Sequence, residues 1–244
     1  MKNVGIIFER EFKSYFATPI AYVFIVIFLI LSGALTFYMG NFFEREQADL
    51  LPFFSFHPWL YLFLVPAVSM KLWAEERKSG TIELILTLPI KTSEAVLGKF
   101  FAAWAFISIS LLLTFPMWIT VNYLGNPDNG IIFSAYLGSL LMAGGFLAIG
   151  SCVSSFTQNQ VIAFILSVVV CFVFLMSGTN LVLDFFSMFL HQSLVDIISS
   201  LSILSHFSSL SKGIIDIRDL IYYVALILLW LYVNIEIVNI KKGE

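Results

Sequence analysis

The sequence predicts an all-α polytopic membrane protein with six transmembrane helices, and three observations carry that expectation. Hydrophobic residues make up 59 % of the 244, charged residues only 12 %, and the mean hydropathy is +0.94; ordinary globular chains run at about 45–50 % and about 25 %. Twenty-six phenylalanines are more apolar surface than one water-soluble core of this size would hide. The apolar residues also fall into six runs of about 20, the length that crosses a bilayer core. These features exclude a soluble globular enzyme and a disordered chain, and the net charge of −3 excludes a basic-patch nucleic-acid binder.

The runs are residues 20–39, 52–73, 100–124, 131–153, 161–183 and 220–238. Pro58 and Pro66 interrupt the second and should loosen its backbone bonds. Pro116 lies inside the third, the fourth is rich in small residues, and the fifth is uncharged. The spans take up roughly half the chain, so residues 1–244 are expected to form a single transmembrane domain. Six crossings place both termini on one side. With the termini cytoplasmic, ten Lys and Arg face inward and only Arg45, Lys212 and Arg218 face outward, which orients the chain. No cleavable signal peptide is expected, because Glu9, Arg10, Glu11 and Lys13 stand where its apolar core would lie. Cys152 and Cys171 sit in apolar runs and read as small packing residues; no catalytic or metal-ligating cluster is expected.

Residues 1–19 form an amphipathic helix, with Val4, Phe8, Phe12 and Phe16 on one face, Ile7 and Tyr15 beside it, and Glu9, Arg10 and Lys13 elsewhere. Such a helix lies flat in the cytoplasmic interface before Thr18-Pro19 turns the chain into the first span. A plain membrane anchor and an elbow bracing a partner domain both fit this pattern.

The cytoplasmic segment 74–99 carries the densest signals. Glu75, Glu76, Arg77 and Lys78 close the second span, and Gly80 breaks the helix. Thr81 is placed to cap a short helix from Ile82, with Glu83 in its first turn and Leu86 on its apolar surface, and Pro89 stops it. Thr92 or Ser93 then caps the helix that enters the third span through Gly98 and Lys99. A surface helix this apolar suits a partner groove, although lying in the headgroup region accounts for it equally. The external segment 184–219 is apolar and Ser-rich without a full-length span. Ser134 and Gly138, then Gly144, Ala148 and Cys152, recur every four residues and give the fourth span a close-packing ridge; Ser32, Thr36 and Gly40 do so on the first. His57, His191 and His206 are expected near the surface in interfacial hydrogen bonds.

The stretch Glu75-Glu76-Arg77-Lys78-Ser79-Gly80-Thr81-Ile82-Glu83, with Leu86, Pro89 and Leu97-Gly98-Lys99, resembles the signature of ABC-2 type transporter permeases. Leu204-Ser205-His206-Phe207, Lys212-Gly213 and Asp216-Ile217-Arg218-Asp219 before Tyr222-Tyr223 resemble the branch of gliding-motility-associated and nitrous-oxide-reductase-maturation permeases. The resemblance implies an exporter's membrane half in the bacterial inner membrane. It implies a dimer with a second copy or a related permease, docked on two copies of a cytoplasmic ABC ATPase that binds ATP and Mg. It makes residues 1–19 an elbow helix, the helix after Gly80-Thr81 the coupling helix, and 184–219 a re-entrant hairpin carrying His206, Lys212 and Gly213. The sequence has no phosphate-binding Gly-x-x-x-x-Gly-Lys-Ser/Thr loop and is not expected to be an enzyme; no cofactor is expected in the chain.

Other classes fit less well. A glutamate–histidine membrane peptidase would need Arg where Gly80 stands, and would bring together His57 and Glu75–Glu76 from opposite ends of one span, about 25 Å apart. A secondary transporter or channel usually places ionisable groups inside its spans, and spans one, three, four and five have none. A membrane scaffold remains compatible with the spans themselves.

Overall fold

A computed structural model describes residues 2–82, 90–189 and 191–240. Among these, every regular element is helical. Helix α1 (Lys2–Ala17) ends at Thr18, which is extended because the following Pro19 disfavours helical backbone there. Pro19 then opens α2 (Pro19–Ala34), which runs into a π-helical turn at Leu35–Met39. The second apolar run is divided into α3 (Leu51–Ser55), α4 (His57–Ser69) and α5 (Lys71–Lys78). Pro58 falls in the first turn of α4, where no donor is missed, whereas Pro66 lies inside α4 and removes one.

Next come α6 (Thr92–Leu112), α7 (Phe115–Leu124) and α8 (Asn129–Phe156). Asp128 caps α8 by accepting the Gly130 and Ile131 N–H groups, and Asn159 caps α9 (Gln160–Met176) in the same way. The chain closes with α10 (Asn180–Ser187), α11 (Gln192–Ser200), α12 (Ile203–Ser211) and α13 (Ile217–Ile240).

Among the described residues, four stretches are long and apolar enough to cross a bilayer unbroken: Ala21–Met39, Thr92–Leu124, Asn129–Phe156 and Ile217–Ile240. Two bent pairs, α9 with α10 at 77° and α11 with α12 at 59°, raise the number to six if each counts as one span. Two of the six sequence runs therefore differ from expectation. Run 52–73 is three short helices rather than one. Run 161–183 stops at Met176, because the chain turns at Gly178, where a Cβ would lie 2.5 Å from the Ser202 side chain.

Helix α8 is the axis of the molecule. Tyr136, Ser139, Gly150 and Ser154 meet Phe54, His57, Ser69 and Trp73 in ascending order, so 51–74 runs parallel to it. Gly138, Gly145 and Ser151 meet Leu210, Tyr223 and Asn234, again in parallel. Trp104 of α6 and Cys171 of α9 reach Leu140 and Phe146, and both helices run antiparallel. Small residues permit these approaches. A Cβ on Gly138 would lie 2.9 Å from Leu210 Cβ, and one on Gly144 3.0 Å from Ile227 Cδ1. Ser134, Ala148 and Cys152 are fully buried, and Ser134 Oγ donates to the Leu210 carbonyl at 2.5 Å. On the first span, Ser32 and Thr36 are buried, and a Cβ on Gly40 would lie 2.8 Å from Pro52.

The outside of the bundle is apolar. Val26 and Ile30 of α2, Val169 and Val173 of α9, and Leu228 and Tyr232 of α13 are exposed. In water such a belt is a liability; against lipid it is the expected surface.

Replacing Gly150 with Ala should destabilise the bundle by about 1–3 kcal/mol. Its Cβ would sit 2.0 Å from Ser69 Oγ and 2.8 Å from Ser69 Cβ, so rotating the hydroxyl away does not relieve the clash. A thiol-reactive dye reports unfolding through the buried Cys152 and Cys171. The Gly150→Ala midpoint should fall and recover in part in the Gly150→Ala/Ser69→Ala double variant; an unchanged midpoint would mean that α4 and α8 are not this close.

Candidate functional site

At the end of the bundle where α1, α5 and α6 meet, four charged side chains converge. Lys99, near the start of α6, is almost fully buried, and its ammonium donates to Glu76 at 2.6 Å and to Glu11 at 3.2 Å. Arg10 pairs with Glu11 at 2.5 Å and reaches Glu76 at 3.9 Å. Lys99 also lies over the Trp73 ring, 5.4 Å from its centroid. Two cations and two anions balance; Lys99 is buried against the two partly buried carboxylates, while Arg10 reaches them from the exposed side.

The carboxylates are not equivalent. Burial works against the Glu11 charge, but Lys99 and then Arg10 outweigh it and hold the carboxyl below its ordinary value of 4.5. At Glu76 burial prevails, with only partial relief from Lys99 and a further push from Glu11, so its carboxyl is raised.

Local sequence explains why α5 and α1 arrive here. The helix is interrupted at Met70, although its backbone stays right-handed helical and its N–H still bonds the Pro66 carbonyl at 2.9 Å. Ser154, from the last turn of α8, accepts from Trp73 and Ala74 at 3.2 and 3.1 Å and donates to the Met70 carbonyl at 2.9 Å. Arg77 donates to the Ser155 carbonyl, placing a cation at the C-terminal end of α8, as the helix dipole favours. Helix α1 packs on α6 through Ile7, which fills the space left by Gly98, and through Tyr15 stacked on Phe106 at 5.0 Å.

After Lys78 the chain leaves α5 through Gly80, whose φ of +72° is the left-handed conformation that ends a helix. Glu75, Gly80 and Thr81 are exposed, while Ile82 is partly buried and packs on the core. The Thr81 hydroxyl bonds Ser79 Oγ at 2.9 Å and the Glu76 carbonyl at 3.4 Å. Glu83, Leu86 and Pro89, and with them most of the expected coupling helix, lie outside the described residues. Helix α6 is capped differently from expectation. Lys91 is the N-cap, and its N–H donates to the Glu94 carboxylate, which reaches back from the first turn; Thr92 is already helical and buried.

At the opposite end, His206 Nδ1 lies 2.6 Å from Asp219 and Nε2 3.0 Å from the Ser200 carbonyl, with the ring stacked on Tyr222. Tyr222 and Tyr223 donate to the Leu201 and Ile203 carbonyls, strapping α13 to the α11–α12 turn. Gly213, at φ +84°, packs against Ile131, and Lys212 is exposed. His191 is exposed and caps α11.

His57 overturns its surface assignment. It is fully buried, its Nδ1 lies 2.7 Å from Ser139 Oγ, and Tyr61 shares that hydroxyl at 2.9 Å. Phe53, Phe54 and Phe28 surround the ring and keep it from the surface.

Compared with known protein families, residues 6–238 match the ABC-2 family transporter proteins. The chain belongs to the ABC-2 transporter family. No curated protein matches it significantly. ABC-2 permeases are membrane components of ABC transporters, typically lack an ATPase site of their own, and generally partner with an ABC ATPase. The charged cluster in this ABC-2 protein thus adjoins the segment that carries its family-like Glu75–Ile82 stretch. Sequence reasoning missed Glu11, Ser154 and Ser155, and took Lys99 for a surface cation. The one available signal was a lysine heading an apolar run.

Lys99→Met should destabilise by less than the ~3–5 kcal/mol of a fully buried pair, because Arg10 stays on Glu11 at 2.5 Å while Glu76 loses its close cation. Adding Glu76→Gln should restore part of that loss in the thiol-dye assay.

The two carboxylates also give opposite pH responses. Glu11, lowered, contributes stability above 4.5 that is lost as pH falls through its folded value; Glu76, raised, contributes stability below 4.5 that is lost as pH rises through its own. Glu11→Gln should therefore flatten the acid side of a melting-point profile, and Glu76→Gln the side running from 4.5 toward neutrality. Parallel profiles for both variants would refute the assignment.

Proposed function

We propose that this chain is the permease subunit of an ATP-driven exporter in a bacterial inner membrane. Six spans are assigned: α2, the broken run α3–α5, α6–α7, α8, α9 and α13, with α10–α12 as an external, partly re-entrant segment. Both termini and the Lys99 cluster then face the cytoplasm, in keeping with the excess of Lys and Arg at that end. Two copies, or one copy and a related permease, pair over two ATPase subunits, which bind ATP and Mg. The nearest functional branch is that of the gliding-motility and nitrous-oxide-reductase-maturation permeases.

Residues 75–89 are the contact for the ATPase, with α1 as the elbow. One observation carries this reading: the segment ending in Gly80 is tied through Lys99 to α1 and α6, and through Ser154 and Ser155 to α8. A push on residues 79–82 would therefore meet the elbow α1 and two helices that run through the bundle, α6 and α8, rather than a loop end. Energy enters from a partner chain, which fits spans one, three, four and five with no charged residue in their membrane interiors.

Gly80→Pro forbids the positive φ at this turn and should uncouple ATP hydrolysis from transport, with insertion and the melting point unchanged. Gentle solubilisation of the tagged protein should yield a stoichiometric ATPase in the parent and less of it in the variant. A chain that purifies alone in several mild detergents, or a Gly80→Pro variant that transports normally, would overturn the proposal.

A further inference from the structure

At the end of the bundle opposite Lys99, three elements enclose a cleft of about 250 Å³. The loop before α3 contributes Asp49, the α7–α8 turn contributes Asp128, and the residue after α12 contributes Lys212. Its floor is apolar and rigid: Phe54, Ile132 and Ala135 are each buried within the core. Its mouth carries both signs of charge.

The polar groups are only partly used. Asp49 accepts from the Leu51 N–H at 3.0 Å and from Arg45 at 3.3 Å. Asp128 spends one oxygen, Oδ1, on capping α8. Among the described residues, Asp128 Oδ2 and the Lys212 ammonium are left to solvent or a ligand.

The cleft also lies at one end of the apolar spans. Met39, Leu124, Asn129 and Ile217, the near ends of the four unbroken spans, surround it in sequence. Tyr38 and Tyr123, among the most exposed aromatic side chains, mark the same end, where a membrane interface collects such rings.

We propose that this cleft binds one zwitterionic amphiphile of the aminophospholipid class. Its phosphate lies on Lys212, its ammonium on Asp128 and Asp49, and the start of its alkyl chain on Phe54, Ile132 and Ala135. The volume falls just below the ~300 Å³ of the smallest drug-sized pockets, so it takes a headgroup and the first methylenes while the rest of the chain stays in the bilayer. Selectivity follows from hydrogen bonding. A primary ammonium offers three N–H donors to carboxylate oxygens, a trimethylammonium offers none, and a headgroup with no cation leaves both carboxylates facing its phosphate. A bound lipid would join the first external loop to Lys212, and so to the segment that His206 and Tyr222 strap to α13. The inference rests on the cleft and its place at the end of the spans, not on ATPase coupling.

The test is native mass spectrometry of the delipidated full chain, titrated with phosphatidylethanolamine, phosphatidylcholine and phosphatidylglycerol of matched chains. Glycerophosphoethanolamine serves as the chain-free probe. The expected result is one phosphatidylethanolamine per chain, held about tenfold more tightly than either other lipid, with glycerophosphoethanolamine much weaker. Lys212→Gln and Asp128→Asn should each weaken it about fivefold; asparagine keeps the α8 cap, so the second variant folds.

Equal retention of the three lipids, many lipids per chain without preference, or a double variant that binds like the parent would each overturn the proposal. Binding of the chain-free probe as tight as that of the lipid would also overturn it, by assigning a soluble ligand. Binding is read without ATP, so either outcome leaves the transport proposal to its own test.

Discussion

The rest of the molecule depends on how closely backbones approach α8. Inside a bilayer, helices gain nothing from leaving lipid for one another, so association rests on van der Waals contact and a few hydrogen bonds. Glycines at 138 and 150 let Leu210 and Ser69 come closer than a Cβ would allow, and Gly144 lets Ile227 approach to where a Cβ would be tight. Hydrogen bonds then cross the same seam: Ser134 to the Leu210 carbonyl, Trp104 to the Leu140 carbonyl, and Asn234 to Ser151. The two serine bonds need the close approach first, because a serine hydroxyl extends little beyond its own Cβ.

The register along α8 also places the charged cluster. Its last turn ends in Ser154 and Ser155, which hold the broken start of α5 and the Arg77 side chain. Fixing α5 there aims Glu76 at Lys99, and Ile7 in the notch at Gly98 brings α1 and Glu11 to the same ammonium. At its other end, α8 holds α12 through Ser134. One continuous 28-residue helix thus connects the site of the proposed push to the segment at the far mouth, and no flexible linker intervenes within it.

Hydropathy made the bundle legible, because span length is set by bilayer thickness and not by tertiary detail. The four-residue spacing of Ser134, Gly138, Gly144 and Ala148 marked the close-packed face for the same reason: it is local. What stayed illegible was non-local. Lys99 heads an apolar run, the usual place for a lysine that snorkels to water, and its partners stand 23 and 88 residues away. His57 read as a surface residue from its place near a span end, yet rings from α2, α3 and α4 close over it. The close approach at Gly178 was equally hidden, since its partner is Ser202, the distant N-cap of α12. Ser154 gave no signal at all: one serine in a small-residue run does not announce that another helix starts on it.

The two carboxylates hold Lys99 unequally. The shorter contact is with Glu76, at 2.6 Å against 3.2 Å for Glu11, so distance alone would make Glu76 the firmer partner. Desolvation reverses that order: burial raises Glu76, whereas Lys99 and Arg10 together keep Glu11 ionised. Withdrawing Glu76 toward water regains its solvation and leaves Lys99 paired with Glu11. Withdrawing Glu11 would strip Lys99 of the partner most stable as an anion and leave Arg10 without its nearest carboxylate. Breaking a buried pair costs most when a charge is left alone. The Lys99–Glu76 pair is therefore the less well compensated of the two, and α5 is held beside it by its hydrogen bonds to Ser154 and Ser155 of α8.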